Sequence, residues 1–287
     1  MVELPNINKT CMKIIKTMLA LAAAMVATVS YGQNSDTPKI LVLFYSQTSN
    51  TKTVAQEIAN RLGADMEEIV PVKPYDGDFQ ATIGRCMEER KQGITPDIKP
   101  VAADITKYDV IFLGYPIWFG TYAPPVEAFL NKVDLQGKKI VPFCTFGSGG
   151  LDSSIKELTE KQPKAQILPG YGVRAARMAA VPKEIDQFLK ASGFLEGEFF
   201  KPEAFPAPHE VNEGEAAIFD AAVGDYPMIH AKAKNVASRT IPGGTEYLFT
   251  AVDLPRDGSP NMPPAGEMQV YVTALEGAAP VFTQVVR

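Results

Sequence analysis

The sequence predicts an α/β fold: an open five-stranded parallel sheet with helices on both faces, followed by a small α+β module. Three observations carry this. Apolar runs suited to strands buried on both faces recur at 40–45, 109–115 and 139–145. Amphipathic stretches separate them, so strand and helix alternate at intervals of about 30 residues, the length of a βαβ unit. Beyond residue 213 one short helical stretch precedes a series of strand-like segments joined by Gly- and Pro-rich turns, the pattern of an antiparallel meander.

With 287 residues the chain is long enough for two domains. Hydrophobic residues make up 46% and charged residues 21%, which are globular proportions. A net charge of -5, without a Lys/Arg stripe, argues against a nucleic-acid partner. At the N-terminus, Lys13 and Lys16 precede an uncharged stretch from Thr17 to Val29, and Ser30 and Gly32 are small residues where a signal peptidase reads. Residues 1–32 therefore read as a secretory signal, with Gln33 as the first mature residue and an exported location, periplasmic or secreted. Met12 directly precedes Lys13, so translation starts at Met1 or at Met12. The apolar stretch falls short of the ~20 residues of a spanning helix, so no stable membrane span is expected after cleavage. Cys86 and Cys144 remain in the mature chain and do not make a disulfide framework.

The first domain is placed at 39–194. The strand at Ile40 is followed by a helix with Val54, Ala55, Ile58, Ala59 and Leu62 on one face. Residues 65–70 read as a second strand, and 78–92 as a polar helix ended by Gly93 and Pro96. The strand at 109–115 runs into a segment where Pro and Gly argue against regular structure, and Pro125 then opens a helix. After the strand at 139–145, Leu151, Ile155 and Leu158 mark a helix, 166–168 a weak strand, and 182–192 a last helix. Residues 195–213, rich in Pro, Glu and Phe, read as a stiff, exposed linker. The module at 214–287 starts with an Ala-rich helix at 214–223. Strands follow at 230–241, 245–252, 267–276 and 281–286, with a long Pro-rich loop at 254–266.

Three loops follow strand ends, where ligands of open α/β sheets bind. The first is Ser46, Gln47, Thr48, Ser49, Asn50 and Thr51. It opens a helix, whose unpaired N–H groups and dipole favour an anion, and it contains no cation, so it suits a phosphate held by neutral donors. As plain structure, Asn50 would be the helix N-cap. The second loop, Pro116, Ile117, Trp118, Phe119 and Gly120, offers flat aromatic surface. The third, Thr145, Phe146, Gly147, Ser148 and Gly149, offers backbone that a ligand can approach closely. Together they describe a site for a phosphorylated, planar, heteroaromatic ligand.

Residues 39–194 resemble the flavodoxin-like family. The loop Ser46-Gln-Thr-Ser-Asn-Thr51 is similar to its Ser/Thr-x-Thr-Gly-x-Thr phosphate pattern, with Ser49 in place of Gly. Gly114-Tyr-Pro-Ile-Trp-Phe-Gly120 resembles the Gly-x-Pro-Ile-Trp-x-Gly stretch of a subgroup, and Cys144-Thr-Phe-Gly-Ser-Gly149 the third flavin-contacting loop. The resemblance implies a strand order 2-1-3-4-5 and FMN as cofactor. It implies that the first loop holds the FMN phosphate and that the aromatic loop covers one face of the ring. Trp118 or Phe119 would stack there, and backbone N–H groups of Gly120 and of Gly147–Gly149 would meet negative charge on the reduced ring. With His209 and His230 outside this domain, Tyr122 or solvent would supply any proton. No catalytic side chain is assigned and no metal site is expected.

The module resembles the cystatin fold, through Ser238-Arg-Thr-Ile-Pro-Gly-Gly-Thr-Glu-Tyr-Leu-Phe249. Of the cystatin Gln-x-Val-x-Gly signature, Arg239-Thr-Ile-Pro-Gly243 keeps only the Gly in full, which counts against protease inhibition. The expected function is an exported FMN-binding oxidoreductase or electron carrier, with a redox partner or a small-molecule electron acceptor. The alternatives are an FMN-dependent NAD(P)H:quinone-type reductase and a non-enzymatic binding or protease-inhibitor-like protein.

Overall fold

In the computed structural model, which describes residues 38–76, 78–224, 226–254 and 266–287, β1 (Ile40–Phe44) lies between β2 (Asp65–Glu68) and β3 (Val110–Trp118) and runs parallel to both. The short β4 (Thr121–Tyr122) folds back antiparallel on the end of β3. β5 (Lys139–Phe146) pairs with the other side of β3. β6 (Gln166–Ile167) and β7 (Tyr171–Arg174) both pair with β5, one after the other. The spatial order is therefore β2-β1-β3-β5, with β6 and β7 sharing the fifth place, and this is the 2-1-3-4-5 order of the sequence expectation. The edge strand is longer than the expected 166–168. Pro169 and Gly170 interrupt it, and Tyr171–Arg174 resumes the pairing at Phe143.

Period-two alternation sends each strand's residues to opposite faces. On one face Leu41, Leu43, Ile111 and Leu113 pack with Val126 and Phe129 of one helix and Leu158 of another. On the other, Val42, Phe44, Phe112 and Val141 pack with Val54, Ile58, Ile185 and Leu189. The helices are α1 (Asn50–Leu62), α2 (Phe79–Gln92), α3 (Pro124–Leu130), α4 (Leu151–Lys161) and α5 (Val181–Ala191). Asp78 caps α2 by accepting the Ala81 N–H at 2.8 Å. Cys86 and Cys144 are both free and buried.

The remaining chain forms a second, antiparallel sheet. It contains β8 (His209–Glu210), β9 (Ala231–Ile241), β10 (Gly244–Asp253), β11 (Glu267–Leu275) and β12 (Val281–Val286), in the order β12-β11-β10-β9-β8. The strand β8 falls inside the stretch expected to be linker. The helix α6 (Glu213–Val223) starts with a capping box between Asn212 and Glu215. Its Phe219 packs with Val236, Phe249, Val270 and Phe282 of the sheet. The described residues from Lys39 onward make one compact unit. Residues 1–32, expected to be a signal, and 255–265 of the Pro-rich loop lie outside the described residues. Among the described residues no helix is long and apolar enough to cross a membrane, and none group into a His/Cys/Asp/Glu cluster fit for a metal.

Gly114 shows how closely the sheet is packed where it leads to the site. A Cβ there would fall inside the Phe143 ring on the neighbouring strand. Gly114→Ala should destabilise the protein by about 1–3 kcal/mol, the cost of overpacking a filled core. Urea unfolding, read as a fall in midpoint at unchanged slope, checks this.

Candidate functional site

The first loop leaves β1 and enters α1 through Ser49, whose φ is +66°. Ser49, rather than Asn50, is the N-cap, and its side chain makes no capping bond. The Lys52 N–H donates instead to the Ser46 hydroxyl at 3.2 Å. The N–H groups of Thr48, Ser49, Asn50 and Thr51 meet no acceptor among the described residues. Four unpaired donors at a helix start, with no cation beside them in the loop, make a neutral anion cradle. The Thr51 hydroxyl is not part of it. It is buried and hydrogen-bonded to the Thr145 hydroxyl at 2.8 Å, joining α1 to β5 beneath the loop.

The second loop is regular, contrary to expectation. β3 continues through Pro116 to Trp118, and Trp118 pairs with Thr121 across a two-residue turn. Phe119 (φ +54°) and Gly120 (φ +83°) both take positive φ, as a type I′ hairpin turn requires. Phe is a poor residue for that conformation, so the sequence carried no hairpin signal. Ser49 and Phe119 are the only non-glycine residues with positive φ among the described residues, and each sits in a candidate loop. Strain of this kind collects at functional sites.

Trp118 is held by its neighbours. Its ring meets Tyr45 edge-on at 5.9 Å and Tyr75 edge-on at 5.1 Å. The Tyr45 hydroxyl donates to Gln47 Oε1 at 2.7 Å, and Gln47 Nε2 donates to the Tyr75 carbonyl. The Tyr75 hydroxyl donates to Glu89, which also accepts from Arg85 Nε at 2.8 Å. Burial raises the pKa of both tyrosines, so both stay neutral donors. Gln47 thus orients the aromatic cluster as well as lining the cavity. Tyr122, the expected proton source, does not reach the site. It is buried against Tyr115, burial raises its pKa, and it does not line the cavity.

The third loop is shaped by the second sheet. The Val285 N–H of β12 donates to the Ser148 carbonyl at 2.6 Å. A Cβ on Gly149 would collide with the Val285 carbonyl, and one on Gly147 would lie 2.7 Å from the Tyr226 hydroxyl. Arg174, almost fully buried at the end of β7, donates through Nε to the Gly147 carbonyl at 2.8 Å and through Nη1 to the Phe282 carbonyl at 2.9 Å. Its guanidinium lies 3.3 Å from the centre of the Phe282 ring. Ser153 Oγ donates to the Gly120 carbonyl at 2.6 Å and so ties the second loop to α4. The glycines are accounted for by this docked strand, beyond the exposed backbone that the sequence suggested.

These parts enclose one cavity of about 1050 Å³. Gln47, Thr48, the whole 116–120 segment and Phe146, Gly147, Ser148 and Gly149 line it. Ser46, Ser49, Asn50, Thr51 and Thr145 do not. Sequence reasoning missed Asp78, Thr82, Ile83 and Cys86 on and beside α2, Leu151–Ser153 and Lys156 on α4, and Tyr226, Met228 and Gln284–Arg287 of the second sheet region. Helical spacing of Thr82, Ile83 and Cys86 on one face of α2 was a usable signal. The second-sheet residues carried none, because only the fold brings them to the loops.

A doubly wound α/β sheet with an anion cradle, an aromatic hairpin and a glycine loop at its strand ends defines a nucleotide-type cofactor protein. The family model for flavodoxins matches residues 39–186, and the chain belongs to the flavodoxin family. It is 30% identical over 125 residues to an uncharacterized protein of Methanocaldococcus jannaschii, a match spanning 43% of this chain and 65% of that one. Among solved structures it is similar to a candidate flavoprotein of Bacteroides eggerthii at 29% identity and a TM-score of 0.48, covering 54% of this chain and 97% of that one. A flavoprotein of Lactobacillus acidophilus, solved in complex with FMN, matches at 21% identity and a TM-score of 0.44, over 51% of this chain and 97% of that one.

Arg174→Met should release the third loop from the second sheet. It removes two charge-assisted hydrogen bonds from a buried site, each worth roughly 1.5–3 kcal/mol. Thermal unfolding should show the loss, and limited proteolysis should cut the exposed 195–208 segment faster than in the parent protein.

Proposed function

We propose that the protein is an FMN-binding oxidoreductase whose electron acceptor is a small molecule. The observation that carries the cofactor reading is the row of unpaired N–H groups at Thr48–Thr51, without any Lys or Arg in the loop, which begins at Thr48 on the wall of a cavity also lined by Trp118 and Gly147–Gly149. The donor set fits a phosphate, and the aromatic hairpin and glycine loop fit a planar ring. Bound FMN supplies the redox chemistry, and the protein supplies position and surroundings. Thr48–Thr51 would hold the phosphate. Trp118, pinned by Tyr45 and Tyr75, would offer a fixed aromatic surface that excludes water. The backbone at Gly147–Gly149 would offer N–H groups without adding a cation, which leaves negative charge on a reduced ring only modestly stabilised.

The cavity favours a reductase of quinone-type or related small molecules over a pure electron carrier. The second sheet walls the third loop, on the side where a protein partner would otherwise have direct access. The protease-inhibitor-like reading finds less support. In the β9–β10 hairpin, Arg239, the cation nearest the turn, is paired with Glu246 and donates to the Glu203 carbonyl at 2.7 Å, so it is already engaged. We also propose export, on the sequence of residues 1–32. N-terminal sequencing of the protein from its native host should begin at Gln33, and retention of the segment would contradict export.

FMN and riboflavin separate the parts of the cofactor reading. FMN should bind one per chain, quenching flavin fluorescence, and riboflavin should bind at least about tenfold more weakly because it leaves the cradle empty, a loss of two or more hydrogen bonds from neutral donors to a charged phosphate. The FMN affinity should change little between low and high salt, since no cation holds the phosphate. Equal affinity for the two flavins would remove the phosphate role from Thr48–Thr51, and binding of neither would overturn the cofactor assignment.

A further inference from the structure

The cavity extends well beyond the three loops that the sequence marks. Its volume of about 1050 Å³ lies just above the ~300–1,000 Å³ range of ligand sites. It reaches from Thr48 and Cys86 to Tyr226, Met228 and Gln284. The far wall is fixed, because Val285 and Arg174 lock β12 onto the third loop.

That wall offers donors with no protein acceptor. The Tyr226 hydroxyl and the Gln284 amide make no hydrogen bond among the described residues, and the Lys156 ammonium on α4 has no ion pair there. Apolar surface from Ile117, Leu151 and Met228 lies among them. Two acids, Asp78 and Asp152, line the cavity as well, Asp152 one helical turn before Lys156 on α4. Asp78 caps α2. Asp152 lies near Tyr271, whose pKa is raised by burial and, after it, by that charge. Arg287 is already engaged, with the Met228 carbonyl at 3.1 Å and Asp253 at 3.6 Å.

We infer that Lys156, Tyr226 and Gln284 form a second subsite, beside the cofactor, for a small planar aromatic molecule bearing an oxyanion. The inference rests on the FMN reading only for what occupies the rest of the cavity. The ring would lie against Met228 and Leu151, and the oxyanion would take the three free donors. The second sheet is then the specificity wall of the site.

Isothermal titration of the full chain with 2-naphthoate tests this, with FMN saturating and with FMN absent. One saturable site is expected in both conditions. Lys156→Gln and Tyr226→Phe should each weaken it by about tenfold, as for loss of a hydrogen bond to a charged group. Lys156 is exposed on a helix and Tyr226→Phe keeps its ring, so both variants should fold. Lys156→Gln should leave FMN affinity unchanged. No saturable heat, equal affinity in parent and variants, or displacement of naphthoate by FMN would each overturn the subsite. If FMN fails to bind while naphthoate binding still depends on Lys156 and Tyr226, the cofactor reading falls and the subsite stands.

Discussion

Strand β12 lies on the loop at 147–149, and the contact is backbone against backbone. The Val285 N–H reaches the Ser148 carbonyl only because Gly149 has no Cβ to meet the Val285 carbonyl. Arg174 completes the joint by donating to a carbonyl on each side, Gly147 and Phe282. A buried guanidinium is costly without partners, and here its partners are two carbonyls and the face of the Phe282 ring. Burial accordingly lowers its pKa. The conformation of the third loop, the closure of the cavity and the placement of Tyr226 and Gln284 all follow from this joint. A flavodoxin-like sheet has an open edge at its strand ends, and in this protein a second sheet supplies part of the wall.

The other two loops are shaped by strain that their surroundings hold in place. Ser49 at φ +66° turns the chain so that the N–H groups of Thr48–Thr51 stay unpaired. Phe119 at φ +54° makes the hairpin that carries Trp118. Left-handed backbone costs about 1–2 kcal/mol for a residue with a Cβ. In both places a packed neighbour fixes the alternative: the Thr51–Thr145 hydrogen bond under the first loop, and the β3–β4 pairing under the second. The site is therefore preorganised by the scaffold, with the aromatic cluster of Tyr45, Tyr75 and Trp118 between the two loops.

The parallel sheet was legible because its signal is local. Uncharged runs such as Ile40–Phe44 have few other places to go, and their order follows from the alternation with helices. The second half of the edge strand was missed because Tyr171–Arg174 contains a Gly and an Arg, and that Arg is buried by contacts the sequence cannot show. The hairpin at Phe119 was missed because a bulky residue occupies a position that usually takes Asn or Gly. The glycine loop was found, but half of its meaning was not, since the reason for Gly149 lies about 136 residues away in β12. The same holds for Tyr226, Gln284 and Lys156: long-range packing brings them to the cavity, and no spacing in the sequence marks them. Thr51 and Thr145 looked like ligand contacts, yet their hydroxyls serve each other.

One cavity is built jointly by the flavodoxin-type loops and the second sheet. Amide hydrogen exchange with and without FMN tests it most directly. The account predicts that FMN slows exchange both in 46–51 and in 282–287, because the third loop transmits ordering to β12 through Ser148 and Arg174. Slowing confined to 46–51, with 282–287 unchanged, would contradict it.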